Sequence, residues 1–177
     1  MRPWISNLCP RLIRAVRANS FAVCALVLVT LATVLVPQST RASGASRELM
    51  LADLLRYMRT QIQVYQGQHA GQRPGMAAGA TDSTPDAGTF IAQMTQYTDE
   101  SGTVIRGPSK TRVFGPYLLA IPENPFNSRD GILIVPGATF PVPDDSQPYG
   151  WMYSPTTGRL TANVEGVGSD GVRYMSY

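Results

Sequence analysis

An arginine-flanked apolar run constrains this 177-residue chain more than any other feature. From Phe21 to Val36 there are sixteen residues without a charge, and only Thr30 and Thr33 are polar. At about 1.5 Å per residue, a helix of this length extends about 24 Å, slightly less than the hydrocarbon core of a bilayer. The arginines that precede the run predict that its start stays cytoplasmic and that residues from about 40 onward are exported.

Two fates of the apolar run remain open at this point. As a membrane anchor it needs snorkelling by Arg17 or a helix that continues past Pro37. As a cleaved signal peptide it has two suitable sites, Thr40-Arg41-Ala42 and Ser43-Gly44-Ala45, with small residues where signal peptidase reads them. The length of the apolar run and the residues on either side of it are compatible with both a membrane anchor and a cleaved signal peptide.

Charged residues are distributed differently before and after Ala42. Five arginines and no acidic residues lie up to this point, and the remaining 135 residues carry 10 basic and 12 acidic groups. This body has no run of lysines or arginines, so nucleic acid is not an expected partner. Cys9 and Cys24 both lie in the N-terminal segment, which leaves the body without a disulfide or a thiolate metal site.

The body is predicted to start with a long amphipathic helix over Ser46 to Gln66, ending near Gln68. Its apolar residues recur at spacings of three and four and are Leu51, Leu54, Leu55, Met58, Ile62 and Tyr65. Residues 70–88 form a loop, and Thr84-Pro85 is predicted to start a short second helix. The apolar side of that helix is expected to contain Phe90, Ile91, Met94 and Tyr97.

Short strands and ordered loops are predicted beyond Gly102. In the 135-residue body, 16 glycines and 11 prolines occupy a fifth of all positions. One strand is expected at Ile132 to Val135, and an edge strand at Val172 to Met175. A hairpin is indicated by two alternating runs, which are Tyr149, Trp151, Tyr153 and, on the return, Leu160, Ala162, Val164. Its aromatic face favours packing against the long helix over use as a ligand platform.

Few residues suggest chemistry, and no enzyme is predicted. The single histidine, His69, is interpreted as a polar residue just past a helix end. The acidic pairs Asp99-Glu100 and Asp144-Asp145 lie in turn-like sequence, where neighbouring side chains point apart. The run Gly166 to Gly171 lacks the strand, helix and lysine of a phosphate loop. The one cofactor candidate is calcium, held by Asp170 with Asp144 or Asp145, and no other cofactor is expected.

Three stretches resemble type IV pilins and, more closely, the major pseudopilins of type II secretion systems. Val34-Leu35-Val36-Pro37-Gln38 is similar to the proline-kinked end of the pilin membrane helix. Residues 55–71, LRYMRTQIQVYQGQHAG, resemble the end of the pseudopilin helix. The third stretch resembles three motifs of the pseudopilin body. Its G-P-Y-L motif corresponds to Gly115-Pro116-Tyr117-Leu118, and its P-x-N-P motif to Pro122-Glu123-Asn124-Pro125-Phe126-Asn127. Its G-W-x-Y motif corresponds to Gly150-Trp151-Met152-Tyr153. The resemblance covers about residues 20–163.

The resemblance implies an α+β pilin-like fold. A long bent helix, apolar and then amphipathic with Pro37 as its kink, would pack on a small antiparallel sheet with ordered loops. The implied organisation is a basic cytoplasmic flank over 1–19, a membrane or signal segment over 20–42 and an exported domain over 43–177. The implied protein is a single-pass inner-membrane subunit with a cytoplasmic N-terminus and a periplasmic domain. It would work without catalysis, assembling with other pseudopilin subunits and inner-membrane secretion components.

The processing site departs from the family pattern. The family motif is G-F-T-x-x-E, and Ser20-Phe21-Ala22-Val23-Cys24-Ala25 keeps only the phenylalanine, so Ser20 and Phe21 are the candidate processing residues. The motif's acid is thought to pair with the freed amino terminus of a neighbouring subunit, and this chain lacks it. The alternative function is therefore a secreted or periplasmic binding module without enzymatic activity, released by signal peptidase.

Overall fold

The computed structural model describes residues 44–77, 84–107 and 113–177. A boundary after Ala45 divides the chain into two units, and the second unit, Ser46–Tyr177, contains the body. The predicted flank over 1–19, the apolar segment over 20–42, the processing residues Ser20 and Phe21 and the kink at Pro37 lie outside the described residues.

The described fold is α+β, with one long helix, one short helix and two small sheets. Helix α1 occupies 44–68 and α2 Ala87–Thr95. Strands β1, Tyr97–Thr98, and β2, Val104–Ile105, form an antiparallel pair. Strands β3, Ile132–Ile134, β4, Trp151–Ser154, and β5, Arg159–Ala162, form the second sheet, and a 3₁₀ turn follows at Tyr174–Ser176.

The predicted stripe of α1 is confirmed as the centre of the core. Leu51, Leu55 and Met58 are completely buried, and Leu54 is partly buried beside them. Ile62 and Tyr65 continue the stripe and are each only 1% exposed. The same cluster contains Trp151, Tyr153 and Leu160 of the hairpin, so the aromatic residues of β4 lie in the core with the helix.

The prediction of a purely antiparallel sheet is wrong, because β3 runs parallel to β4. Ile132 lies opposite Trp151 and Ile134 opposite Tyr153, whereas β4 and β5 form the predicted antiparallel hairpin. A parallel pair needs a connection of about a dozen residues or more, and residues 135–150 supply one. The alternating sequence pattern indicates each strand without indicating its direction in the sheet.

The predicted edge strand at Val172 to Met175 is also wrong. Only a single bridge joins Val167 to Arg173, and the chain then enters the 3₁₀ turn. Gly166 and Gly171 have φ angles of +97° and +78°, so the chain turns back on itself here and does not extend.

Helix α2 starts later than predicted and buries a different face. Asp86, not Thr84, caps it by accepting a hydrogen bond from the Thr89 amide at 2.9 Å. Phe90 and Met94 are buried as expected, but Ile91 and Tyr97 are 36% and 40% exposed. A polar side chain, Gln93, takes the remaining buried position.

Gln93 is buried because every polar group of its amide is bonded. The oxygen accepts from the Gly75 amide at 2.8 Å, and the nitrogen donates to the carbonyls of Met76 and Gly102 at 2.9 and 3.0 Å. A fully bonded amide can be buried at little cost. Gln93 thereby fixes the loop after α1 and the turn between β1 and β2.

The buried stripe of α1 predicts the effect of a charge placed within it. Leu55→Asp should lower the free energy of unfolding by more than about 3 kcal/mol, because an unpaired carboxylate enters an apolar layer. Thr60→Asp, on the exposed side of the same helix, should change it by less than about 0.5 kcal/mol. Chemical denaturation of the detergent-solubilised chain measures both, and equal stability of the two variants would show that α1 is not docked on the sheet.

Candidate functional site

The P-x-N-P and G-W-x-Y stretches meet in the structure. Asn124 is completely buried, and its amide nitrogen donates to the Gly150 carbonyl at 2.8 Å. Its side-chain oxygen accepts from the Phe126 amide at 3.0 Å. The indole nitrogen of Trp151 donates to the Pro122 carbonyl at 2.8 Å. These bonds fasten the loop 122–127 to the start of β4.

A second buried amide, that of Asn163, holds the long connection between β3 and β4 in place. Asn163 accepts from the Asp144 amide at 2.8 Å and donates to the carbonyls of Asp144 and Tyr149 at 2.7 and 3.0 Å. Asn127 donates in turn to the Asn163 carbonyl at 2.9 Å. Asn124 and Asn163 therefore use their amides to order loops, which is a scaffolding role.

The G-P-Y-L stretch is fastened to both helices. The amides of Tyr117 and Leu118 both donate to the Met94 carbonyl at 2.9 Å, and the Tyr117 hydroxyl donates to Gln68 at 2.7 Å. The peptide bond between Gly115 and Pro116 is cis. A Cβ on Gly115 would lie 2.9 Å from the Gln96 carbonyl oxygen, so the close approach of these backbones requires glycine.

His69 lies just past the end of α1, as predicted, but it is completely buried. Its ring stacks on Tyr65 with centroids 3.9 Å apart. Nδ1 lies 2.8 Å from the Tyr65 carbonyl oxygen and Nε2 lies 3.0 Å from the Thr98 hydroxyl. Because both nitrogens have partners within the fold, the ring offers no free atom to a substrate and acts as a link between α1 and β1.

The acidic side chains predicted to lie in turns are found there. Asp99 accepts from the amides of Ser101 and Thr103, and the hydrogen bond from the Ser101 hydroxyl holds the pKa of Asp99 below its usual value. Asp144 is bonded in the same way by Ser146, whose hydroxyl lowers the pKa of Asp144. These pKa shifts come from local turn bonds and do not indicate a catalytic pair.

The calcium candidates Asp144, Asp145 and Asp170 each accept a hydrogen bond from a main-chain amide. Asp145 accepts from the Glu165 amide at 3.2 Å, and Asp170 accepts from the Val172 amide at 2.9 Å. Among residues 44–77, 84–107 and 113–177, no group of three or more His, Cys, Asp or Glu side chains could hold a metal ion. The described residues therefore give no support to a calcium site.

One feature that the sequence interpretation missed is an exposed apolar flank on α1. Met50, Tyr57 and Val64 are 54%, 46% and 40% exposed and lie beside the buried stripe. Seven residues are close to two helical turns, so these side chains line up about 10 Å apart along the helix. The spacing of seven is visible in the sequence and could have predicted this flank. Arg56 and Gln63, on other faces of the helix, are polar and exposed.

Comparisons with protein-family models, with curated proteins and with solved structures give no match to this chain. Within the part of the chain that the structure describes, no helix is both long enough and apolar enough to cross a bilayer.

The fastening of loop 122–127 to β4 predicts that Gly150 cannot be replaced. A Cβ at this position would lie 2.0 Å from the Arg129 carbonyl oxygen and 2.9 Å from Cβ of Asn124. Gly150→Ala should therefore cost at least about 3 kcal/mol of unfolding free energy, since backbone atoms have to move.

Gly137→Ala is the matched control, because a Cβ at Gly137 meets no heavy atom within 4 Å. Its stability should stay within about 0.5 kcal/mol of the parent chain. Denaturant titration of the two variants side by side gives the comparison, and a tolerated Gly150→Ala would contradict the described packing of loop 122–127.

Proposed function

We propose that this chain is a pseudopilin-like structural subunit of a type II secretion or type IV pilus-like machinery. It acts in protein export through helix-mediated assembly, without catalysis. Its partners are other pseudopilin subunits and inner-membrane secretion components. The chain is a single-pass inner-membrane protein with a cytoplasmic N-terminus and a periplasmic α+β domain.

The observation that carries this proposal is that α1 has a buried apolar stripe and, beside it, an exposed apolar flank. One stripe of the helix is buried against the second sheet, and the neighbouring flank leaves Met50, Tyr57 and Val64 in solvent. A helix that only covered a sheet would gain nothing from an ordered apolar flank, whereas a helix that packs beside other helices would. The helix is already formed at residue 44, the first residue that the structure describes.

The G-P-Y-L, P-x-N-P and G-W-x-Y motifs of the resemblance also support the proposal. Tyr117, Asn124 and Trp151 are separated in sequence but all take part in buried or partly buried bonds that order the loops of the body. This agrees with a body whose function depends on a rigid shape. The bonding of His69 supports a role without catalysis.

The alternative is a secreted or periplasmic binding module released by signal peptidase. Such a module is expected to present a free aromatic face on the hairpin, and Trp151 and Tyr153 are instead completely buried. The hairpin therefore gives no support to this alternative, and the two functions differ most clearly in the fate of the N-terminus.

Intact mass of the mature protein, measured on separated membrane and soluble fractions of the native host, distinguishes these functions. We expect a membrane-bound chain that is either uncut or begins at or near Phe21, because the apolar run is needed for anchoring. A soluble protein beginning at Ser43 or Ser46 would refute the anchored subunit and favour the binding module.

Assembly through the apolar flank can be tested with Tyr57→Arg combined with Val64→Arg. An arginine buried between helices without a partner costs several kcal/mol, so cross-linked oligomers in native membranes should fall by about tenfold or more. Thermal unfolding should barely change, because both side chains are exposed in the subunit.

Ala52→Arg is the control for added charge, since Ala52 is an exposed residue of the same helix on a different face from Tyr57 and Val64. It should leave the cross-linked oligomers as abundant as in the parent chain. Equal oligomer yields from the double variant and from Ala52→Arg would refute assembly through the flank.

A further inference from the structure

Three arginines that are far apart in sequence converge on one cavity. The cavity has a volume of about 330 Å³ and lies between the C-terminal half of α1 and the turn that joins β4 to β5. We name it the arginine pocket and define it by Arg59, Arg73, Arg159, Gln63, Gln66 and Gly158. Among the described residues that line it, none is acidic.

Arg59 is fixed by main-chain oxygen acceptors, and none of the described residues that line the pocket beside it is acidic. Its Nε and Nη2 donate to the Leu160 carbonyl at 3.0 and 2.9 Å, and Nη2 also donates to the main-chain oxygen of Tyr177. Burial, and then the positive charge of Arg159, lower the pKa of the Arg59 guanidinium. The two arginines therefore repel each other across the pocket, and an anion between them would relieve that repulsion.

Arg73 supplies a buried donor that has no acceptor. Its Nη1 donates to the carbonyls of Pro155 and Thr156, which fixes the guanidinium over the turn. Its Nε is buried and has no hydrogen-bond partner. An unbonded buried N–H is costly, so this atom calls for an acceptor from outside the fold.

Gly158 leaves room where two donors meet. Its φ of +72° turns the chain, and a Cβ there would lie 3.1 Å from Nε of Arg73 and 3.2 Å from Nε2 of Gln66. Glycine therefore avoids a tight contact between the turn and both nitrogens. Arg159 stands at the rim, exposed, with its guanidinium carbon 5.4 Å from the centre of the Phe140 ring.

We propose that the arginine pocket binds a phosphate group. Convergent guanidinium and amide donors without an acidic side chain among them suit a tetrahedral oxyanion, which accepts several charge-assisted hydrogen bonds at once. The ligand is either a free phosphate or phosphomonoester, or the phosphodiester of a lipid headgroup. This site goes beyond the assembly function and does not depend on it, because binding is a property of the single subunit.

Isothermal titration of the full chain in non-ionic detergent tests the site. Inorganic phosphate and the soluble headgroup glycerophosphoglycerol are the two probes, at constant ionic strength with chloride as the reference salt. We expect saturable binding of at least one probe. Tighter binding of phosphate identifies a free phosphate or monoester as the ligand class, and tighter binding of glycerophosphoglycerol identifies a lipid phosphodiester.

Substitutions test whether the probes bind in the arginine pocket. Arg159→Gln should weaken it by about tenfold or more, and Arg73→Lys should do so as well because lysine keeps the charge but loses the planar set of donors. The control is Arg56→Gln, which removes the same charge from an exposed position of α1 that pairs with Asp53. The affinity of this variant for the bound probe should stay within about twofold of that of the parent chain, since exposed charges are screened by salt.

Two results would overturn the proposal. The first is the absence of saturable binding for both probes at millimolar concentration. The second is an Arg159→Gln variant that folds with the parent melting temperature and binds phosphate as well as Arg56→Gln does. Neither result bears on cross-linked oligomers, so the phosphate site and the assembly function fail independently.

Discussion

Helix α1 lies with five fully buried side chains in the same layer as the hairpin of β4 and β5. Complete burial of a large apolar side chain contributes about 1.5–3 kcal/mol, so this stripe alone supplies an amount comparable to the net stability of a whole domain. The body has no cysteine and so no disulfide to share that role. The loops, the short helix and the first sheet are all arranged around this layer.

Around the layer, buried polar side chains add to the order that apolar packing provides. Gln93, Asn124 and Asn163 are each almost fully buried and make several bonds to backbone groups of loops. A buried amide left without partners would cost about 1–3 kcal/mol, and so the loops are held where those partners are. This explains how a body so rich in glycine and proline has a defined shape with few strand residues.

The sequence predicted the elements well where one periodicity decided the outcome. The stripe from Leu51 to Tyr65 and the hairpin around Trp151 follow local patterns, and both are confirmed. The parallel pairing of β3, the burial of His69 and the capping of α2 by Asp86 depend on which groups meet in the folded chain. No local periodicity carries that information.

The candidate sites also could be predicted only where their residues follow a local pattern in the sequence. The spacing of Met50, Tyr57 and Val64 lies within one helix and is visible in the sequence. The arginine pocket is not, because Arg59, Arg73 and Arg159 belong to a helix, a loop and a strand that only the fold brings together. The calcium candidates show the opposite case, since Asp144 and Asp170 look promising in sequence but accept hydrogen bonds within their own turns.

The two sides of the buried stripe on α1 carry different kinds of residue. Going around its axis from the buried stripe, one direction leads to Met50 and Tyr57 and the other to Arg59 and Gln63. The apolar flank and the basic side of the helix therefore present different chemistry to any surface that α1 meets.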